Sequence, residues 1–267
     1  MENSQVKLLH ITPKNICIAA IGKPYRNNNA DIKLFEKIGF IWKHESVLEH
    51  CILQFSIEGV SRLELQENVR HRIASLTVES TRFSLNDILN TLEDYSNTEI
   101  KKIFVYPEIK NKYTEKEIKI FNNALLESNR NTIKIIRILK ELGFTNDYLK
   151  YFLTENLRTN FVWTINLRSL INFLQLRLEK SAHFEIQNIA SKIYKVIKNE
   201  TWLGEIDFNK TLYKYQKLDY HTIHDNNVVI KNDSTVIITL SKENWLELKQ
   251  LLNKNLVEKI DLIEGLK

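Results

Sequence analysis

The chain has 267 residues, of which 43% are hydrophobic and 27% charged, and its formal net charge is +5. This length and composition are those of an ordinary globular protein with ample material for a buried core. No apolar run approaches the roughly 20 residues that a transmembrane helix needs, and the N-terminus lacks a signal-peptide pattern, so the sequence predicts a cytoplasmic protein without membrane spans.

The cysteines and the net charge narrow the classes of ligand. Cys17 and Cys51 lie in apolar segments without metal-type spacing, which predicts reduced, structural thiols. The positive charge suits an anionic ligand such as a nucleotide, a phosphate or a nucleic acid. Basic and aromatic residues are not interleaved on a strand, so we do not expect nucleic-acid binding.

His221 and His224 lie beside two aspartates without further ligands, so we interpret them as loop residues and predict no metal.

The first element with a clear pattern is a strand at residues 51–57, where apolar residues occupy alternate positions. Gly59 is predicted to end it. Ser61 and Glu64 form a capping-box pattern, which predicts a helix that starts there and runs to about Arg72.

Residues 70–83 combine Arg70-His71-Arg72 with Ser75, Ser80 and Arg82. The planar fork of arginine matches phosphate oxygens two at a time, and histidine donates hydrogen bonds near its titration point. The segment therefore predicts a site for a phosphorylated ligand. The alternative interpretation is a solvated basic face. Because helical residues are about 100° apart, the triplet would fan across the helix end and contact different parts of one ligand, or two ligands.

The middle of the chain predicts a long helix and a second strand. Thr114 and Glu117 repeat the capping box, and Gly143 is a stop signal. The predicted apolar stripe of this helix consists of Ile118, Phe121, Leu125, Thr132, Ile135, Ile136, Leu139 and Leu142. Residues 157–165 alternate like a strand with one buried face, and an aromatic stacking platform is the less favoured alternative.

Two further helices follow this strand. Asn166 is predicted to cap the first, with Arg168 and Asn172 on one face. The second is predicted at 182–199, with a buried stripe of Ile186, Ile189, Ala190, Ile193, Val196 and Ile197. Residues 228–230 and 236–240 then predict a hairpin, and residues 242–252 a final helix.

Together these elements predict an α+β fold with a central antiparallel or mixed sheet flanked by long helices. A small C-terminal extension of a β-hairpin and a helix follows it. We place the boundary between the main domain, residues 1–204, and this extension, residues 205–267, whose role the sequence does not indicate.

Three motifs in this order resemble the flavin-dependent thymidylate synthases over roughly residues 10–200. They are His44-Glu45-Ser46, then Arg70-His71-Arg72 with Ser80 after seven residues, then Asn166-Leu167-Arg168 with Asn172 and Arg177. The resemblance implies reductive methylation of dUMP by 5,10-methylenetetrahydrofolate, with electrons from NADPH passing through bound FAD. It also implies a homotetramer whose active sites are shared between subunits.

The resemblance also assigns site residues. The FAD-binding residues would be His44, Ser46, Arg70, His71, Arg72, Asn166, Arg168 and Asn172. The dUMP-binding residues would be Ser80, Thr81, Arg82, Lys150 and Arg177. Arg177 is the predicted catalytic residue, because a guanidinium beside the pyrimidine stabilises anionic charge on the ring. No side chain is placed as a nucleophile, so no covalent bond between enzyme and dUMP is expected.

Some positions depart from the family pattern. Glu67 stands where most members have glutamine, Thr77-Val78 replaces an Asn-Glu pair with the carboxylate moved to Glu79, and Phe83 replaces tyrosine. We therefore leave Glu67 and Val78 out of the predicted site. The alternatives are a flavin-dependent NAD(P)H oxidoreductase without methyl transfer and a non-catalytic nucleotide-binding protein.

Overall fold

The computed structural model describes residues 4–24, 26–109 and 113–206 and the strands at 228–232 and 235–238. The strands are β1 (Gln5–Ile11), β2 (Ile52–Ser61), β3 (Ala74–Val78), β4 (Arg158–Asn166), β5 (Val228–Asn232) and β6 (Thr235–Ile238). The α-helices are α1 (Lys14–Gly22), α2 (Ile32–Glu36), α3 (Arg62–Asn68), α4 (Thr81–Asn90), α5 (Asn97–Ile103), α6 (Glu115–Glu141), α7 (Asn146–Leu149), α8 (Leu167–Arg177) and α9 (Phe184–Glu200). Short 3₁₀ turns occupy Glu45–His50, Lys150–Phe152 and Trp202–Glu205, and a π turn occupies Lys37–Ile41.

The main sheet has the strand order β1-β2-β4-β3, and each neighbouring pair is antiparallel. This confirms the predicted α+β fold and selects the antiparallel alternative. The edge strands β1 and β3 were not predicted. Neither contains a fully buried residue, so neither has the strong apolar alternation that identifies a strand in a sequence.

The strand β2 is longer than predicted, because Gly59 does not end it. Gly59 has a φ of 71°, in the left-handed region, and the pairing with β4 changes register between Ile57 and Val60. The glycine therefore forms a bulge inside the strand. The strand continues to Ser61, whose hydroxyl caps α3 by accepting a hydrogen bond from the Glu64 N–H.

The main core lies between the sheet and helices α8 and α9. The residues predicted to face inward on β2 are completely buried, namely Cys51, Leu53, Phe55 and Ile57. Cys17 belongs to the same core, and both cysteines are free thiols. On β4, Trp163 is also completely buried, so it packs in the core and is not an exposed stacking platform.

The two helices that cover the core follow the sequence prediction closely. The Asn166 side chain accepts a hydrogen bond from the Ser169 N–H at 2.8 Å and thereby caps α8. The predicted apolar stripe of α9 is buried and comprises Ile186, Ile189, Ala190, Ile193, Val196 and Ile197.

The long helix α6 confirms both predicted ends but not the predicted stripe. The Thr114–Glu117 capping box has both of its hydrogen bonds, and Gly143 follows the helix with a φ of +90°. The residues of α6 that are buried are Leu126, Asn129, Ile133 and Ile136. Of the predicted stripe, Phe121, Ile135 and Leu142 are 47%, 43% and 70% exposed. The prediction merged two apolar faces, of which only one packs on the second core cluster of the chain.

Helix α3 is shorter than predicted, because it ends at Asn68. The Arg70-His71-Arg72 triplet therefore lies in the connection to β3 and does not fan across a helix end. Pairing of β3 with the edge of β4 requires the chain to turn there. Arg70 and Arg72 are exposed, whereas His71 is half-buried.

The C-terminal hairpin is confirmed as β5 paired with β6. The predicted helix at 242–252 and the histidines at 221 and 224 lie outside the described residues. Backbone contacts divide the chain into two units, Met1–Tyr213 and Lys214–Lys267. The boundary at 204/205 stays a prediction. Among the described helices, none is both long and apolar enough to cross a bilayer.

Candidate active site

Arg177, the last residue of α8, is only 16% exposed at its side chain. Its Nε donates a hydrogen bond to Nε2 of His71 at 3.1 Å. Its Nη1 lies 3.1 Å from a carboxylate oxygen of Glu67, and its Nη2 donates to the backbone carbonyl of Glu67 at 3.3 Å. The fold thus joins the predicted catalytic arginine to the Arg-His-Arg segment, 106 residues away from it in the chain.

His71 is held in its neutral form. Its ring packs edge-on against Phe173, with the ring centroids 4.9 Å apart. Burial and the nearby Arg177 charge lower the pKa of His71 to about 4. Because Nε2 accepts from Arg177, the single proton of the neutral ring resides on Nδ1.

The lowered pKa of His71 predicts a pH-dependent stability. Between a pKa of about 6.5 in the unfolded chain and about 4 in the fold, the unfolded state binds more protons. The free energy of unfolding should therefore fall as the pH drops through this window and should not change above it. The loss should be less than about 3 kcal/mol, because His71 is only half-buried and solvent screens part of the effect. Urea unfolding of wild type and His71→Gln between pH 4 and 8 measures this contribution. Equal pH slopes for the two proteins would contradict it.

The Glu67 carboxylate bridges two predicted functional arginines. One oxygen pairs with Arg177, and the other lies 3.1 Å from Nη1 of Arg70. Glu67 was left out of the predicted site because its charge departs from the family pattern. The same charge was the signal in the sequence that could have identified Glu67 as a partner of the site. A carboxylate near Arg62, Arg70 and Arg72 in the sequence is well placed to pair with an arginine.

Buried carboxyl groups support the end of β2 and the start of α3. Glu185 of α9 accepts hydrogen bonds from the Ser61 N–H at 2.8 Å and from the Ser61 hydroxyl at 2.6 Å. Glu64 does not complete the predicted capping box, because Glu185 takes the Ser61 N–H. Glu64 is completely buried and accepts a hydrogen bond from Asn68 at 2.7 Å. Burial and the charge of Glu185 raise the pKa of Glu64 well above its usual value.

A second group of predicted residues lies around the start of α4. Ser80 occupies the N-cap position, Thr81 is the first helical residue, and the Ser80 side chain makes no capping hydrogen bond. The Asp147 carboxylate lies 3.2 Å from Nε of Arg82 and 3.2 Å from Nζ of Lys150. The fold thus brings together two predicted phosphate-binding cations. Asp147 was not singled out from the sequence, because its approach to Arg82 is a long-range contact.

A cavity of about 340 Å³ lies beside this group, and its lining includes Arg82, Phe83 and Lys140. Lys140 donates a hydrogen bond to Asn86 at 2.6 Å. Basic and aromatic side chains therefore share one opening at the start of α4. Positive helix N-termini and arginine forks both favour phosphate groups.

A third group joins the start of α8 to the 3₁₀ turn at Glu45–His50. Arg168 pairs with Glu45 at 3.2 Å and with Glu49 at 2.6 Å. These pairs attach the segment of His44 and Ser46 to the helix that also carries the exposed Asn172. The oxygen of Asn166 is engaged in capping α8.

The three groups are not all adjacent within one chain. His71 precedes β3, and Ser80 follows it. Residues Ala74 to Glu79 span about 16 Å when extended at ~3.3 Å per residue. Arg177 contacts the His71 end, whereas Arg82 and Lys150 lie beyond the other end.

Known proteins resemble this chain in sequence and in fold. A family model described as "Thymidylate synthase complementing protein" matches residues 7–201. The flavin-dependent thymidylate synthase of Wolinella succinogenes is 35% identical over 202 residues, covering 73% of this chain and 94% of that protein. The one from Helicobacter pylori (strain 26695) is 32% identical over 203 residues, covering 72% and 92%.

Solved structures give the same result. A crystal structure of thymidylate synthase X from Helicobacter pylori, described as containing FAD and dUMP, superposes with a TM-score of 0.61. It is 31% identical in sequence and covers 72% of this chain and 91% of that one. The match of the family model over most of the chain, together with relatives of this identity and coverage, places the protein in the family of flavin-dependent thymidylate synthases.

Proposed function

We propose that this chain converts dUMP to dTMP by reductive methylation, with FAD as the redox cofactor. The proposed one-carbon donor is 5,10-methylenetetrahydrofolate, and the proposed reductant is NADPH. The observation that carries the proposal is the contact of Arg177 with the Arg-His-Arg segment in a chain of this family. The related Helicobacter pylori structure, described as holding FAD and dUMP, supports the choice of ligands.

The donor groups of the chain suit a dinucleotide. Arg70 and Arg72 are exposed beyond α3, and Arg168 pairs with carboxylates that are themselves exposed. Such forks can exchange a surface carboxylate for a pyrophosphate at little cost, because exposed ion pairs contribute at most about 1 kcal/mol. The residues proposed to hold FAD are His44, Ser46, Arg70, His71, Arg72, Asn166, Arg168 and Asn172. Bound FAD would supply the hydride chemistry, and the protein supplies binding and orientation.

Arg177 is proposed to stabilise negative charge on the uracil ring. A guanidinium carries five N–H donors, and the contacts to His71 and Glu67 use three of them. The remaining two are proposed to donate to a carbonyl oxygen and a ring nitrogen of the uracil, which gain charge during the reaction. Neutral His71 holds Nε by accepting its hydrogen bond, so the guanidinium is oriented before the substrate arrives.

Ser80, Thr81, Arg82 and Lys150 are proposed to bind the dUMP phosphate. In this arrangement, the phosphate would replace the Asp147 carboxylate as the partner of Arg82 and Lys150. The length of β3 lies between these residues and the His71 end of the segment, which Arg177 of the same chain contacts. This separation supports active sites shared between subunits, and we propose a homotetramer. The outer face of α6 and the residue that follows the helix offer apolar surface for such contacts, with Ile120, Ile138 and Leu142 60%, 58% and 70% exposed.

Ser80 is proposed to act as a phosphate ligand and not as a nucleophile. Ser80→Ala should weaken dUMP binding by about 1.5–3 kcal/mol, the usual contribution of a hydrogen bond to a charged group, and keep activity at saturating dUMP. Isothermal titration and steady-state kinetics measure the two effects. Ser128→Ala, at an exposed position of α6 outside the predicted site, is the matched control. A dUMP adduct on Ser80 in protein quenched during turnover, detected by mass spectrometry, would contradict this role.

The proposed function is tested by expressing the chain in a bacterial strain that requires thymidine. Growth without thymidine is the expected result. The purified protein should be yellow from stoichiometric FAD and should release the C5 hydrogen of dUMP while NADPH is oxidised. NADPH oxidation without C5 hydrogen release would favour the reductase alternative. A colourless protein that binds no added FAD would favour the non-catalytic one. A cytoplasmic location stays a prediction from the sequence.

A further inference from the structure

Glu67 lies between two arginines of the candidate site. Its side chain is 19% exposed, and its two carboxylate oxygens lie 3.1 Å from Arg177 and 3.1 Å from Arg70. Its backbone carbonyl accepts a further hydrogen bond from Arg177 at 3.3 Å. One residue therefore holds the guanidinium of Arg177 at two points, through its side chain and through its main chain.

These contacts engage all three nitrogens of the Arg177 guanidinium. His71 holds Nε, and Glu67 holds one N–H on each of the two terminal nitrogens. Three anchors fix both the position and the plane of a guanidinium, which otherwise rotates about its long side chain. The side chain is partly buried, so solvent competes less for these contacts than at an exposed ion pair.

We propose that Glu67 is a positioning residue for Arg177. Its side chain is long enough for the carboxylate to reach Arg177 and hold the guanidinium in place. The same carboxylate also contacts Arg70, so it connects the two arginines. The kinetic part of this inference rests on the proposed function. Misplacement of a positioned group by about 1 Å can cost a hundredfold in rate, so the effect should be large where the arginine acts on the reacting base.

Two variants distinguish the effect of the length of the Glu67 side chain from the effect of its charge. Glu67→Gln keeps an oxygen at the same distance and removes the negative charge, whereas Glu67→Asp keeps the charge and retracts it by one methylene. Positioning predicts that E67Q keeps kcat within about fivefold of wild type, while E67D loses about 10–100-fold with little change in the KM for dUMP. The neighbouring Gln66→Ala, whose exposed side chain bonds Glu155, is the control on the same helix. A higher kcat for E67D than for E67Q would overturn the proposal.

A double-mutant cycle tests whether Glu67 acts through Arg177. In an Arg177→Lys background, the three anchors no longer have a guanidinium to orient. Glu67→Asp should then lower the residual kcat by less than about threefold, so that the two substitutions are strongly non-additive. Full additivity of the two losses would overturn the proposal.

A measurement without turnover makes the result independent of the proposed function. The Nε–H of Arg177 should exchange slowly with water, as observed by arginine-labelled NMR and assigned through its loss in Arg177→Lys. Exchange should accelerate about tenfold or more in E67D and stay close to wild type in E67Q. Unchanged exchange in E67D overturns the positioning role. Slow exchange in wild type with no dTMP formation would instead reject the proposed function and leave the positioning intact.

Discussion

Replacement of Arg177 by lysine is expected to reduce dUMP turnover by about a hundredfold or more. A single ammonium cannot reproduce the planar fork that contacts His71 and both groups of Glu67. A donor that stabilises charge in the transition state contributes about 2.7–4 kcal/mol, and this contribution is lost from kcat. Steady-state formation of dTMP at saturating dUMP, NADPH and methylenetetrahydrofolate measures the effect.

The control for this variant is Arg130→Lys. Arg130 is similarly buried, with 20% of its side chain exposed, and it pairs with Glu127 on α6. It should keep near-normal turnover, and both variants should bind FAD and unfold at similar urea concentrations. Near-normal dTMP formation by Arg177→Lys would remove this guanidinium from the mechanism.

The largest expected effect on stability is that of Trp163→Ala, about 3–5 kcal/mol. Trp163 is completely buried on β4 and packs against Phe173 with a centroid distance of 4.8 Å, and Phe173 in turn supports His71. Truncation removes the contacts of the largest side chain in the core and leaves a cavity that the sheet cannot close. Urea unfolding measures the loss, and the pKa of His71 reports whether its support has loosened.

Trp163→Phe provides the comparison. The indole N–H of Trp163 has no hydrogen-bond acceptor among the described residues, so its removal leaves no partner unsatisfied. A phenyl ring also fills much of the same volume. The loss in stability should therefore be clearly smaller than for alanine. A similar loss for both variants would contradict the conclusion that the packed volume of the side chain determines stability at this position.

The strands and caps with local signals were predictable from the sequence. The alternation in β2 and β4 identifies their buried faces, because each face of a strand has a period of two residues. Thr114 and Asn166 cap their helices as predicted, since a cap depends on residues within one turn. The family resemblance also depends on local motifs, and the match over residues 7–201 confirms it.

The sequence predictions for α3, α6 and Gly59 were wrong because each depends on contacts with other parts of the chain. Helix α3 ends before the Arg-His-Arg triplet because β3 must pair with the edge of β4, and no residue near Asn68 encodes that pairing. The apolar stripe of α6 was misassigned because a period of 3.6 residues identifies an apolar face but not what covers it. Gly59 was read as a stop because a glycine that ends a strand and one that forms a bulge look alike in sequence.

The sequence by itself determined the residue types of the candidate site, the order of its motifs and the family. Only the tertiary structure decided which of them meet. It brought Arg177 to His71, gave Glu67 two arginine partners, and placed Asp147 between Arg82 and Lys150. These contacts join segments far apart in the chain, so they depend on how the sheet and helices pack. Local patterns of residues carry no information about which distant segments meet. For this reason the contacts of Glu67 with Arg177 and Arg70 became visible only in the folded chain.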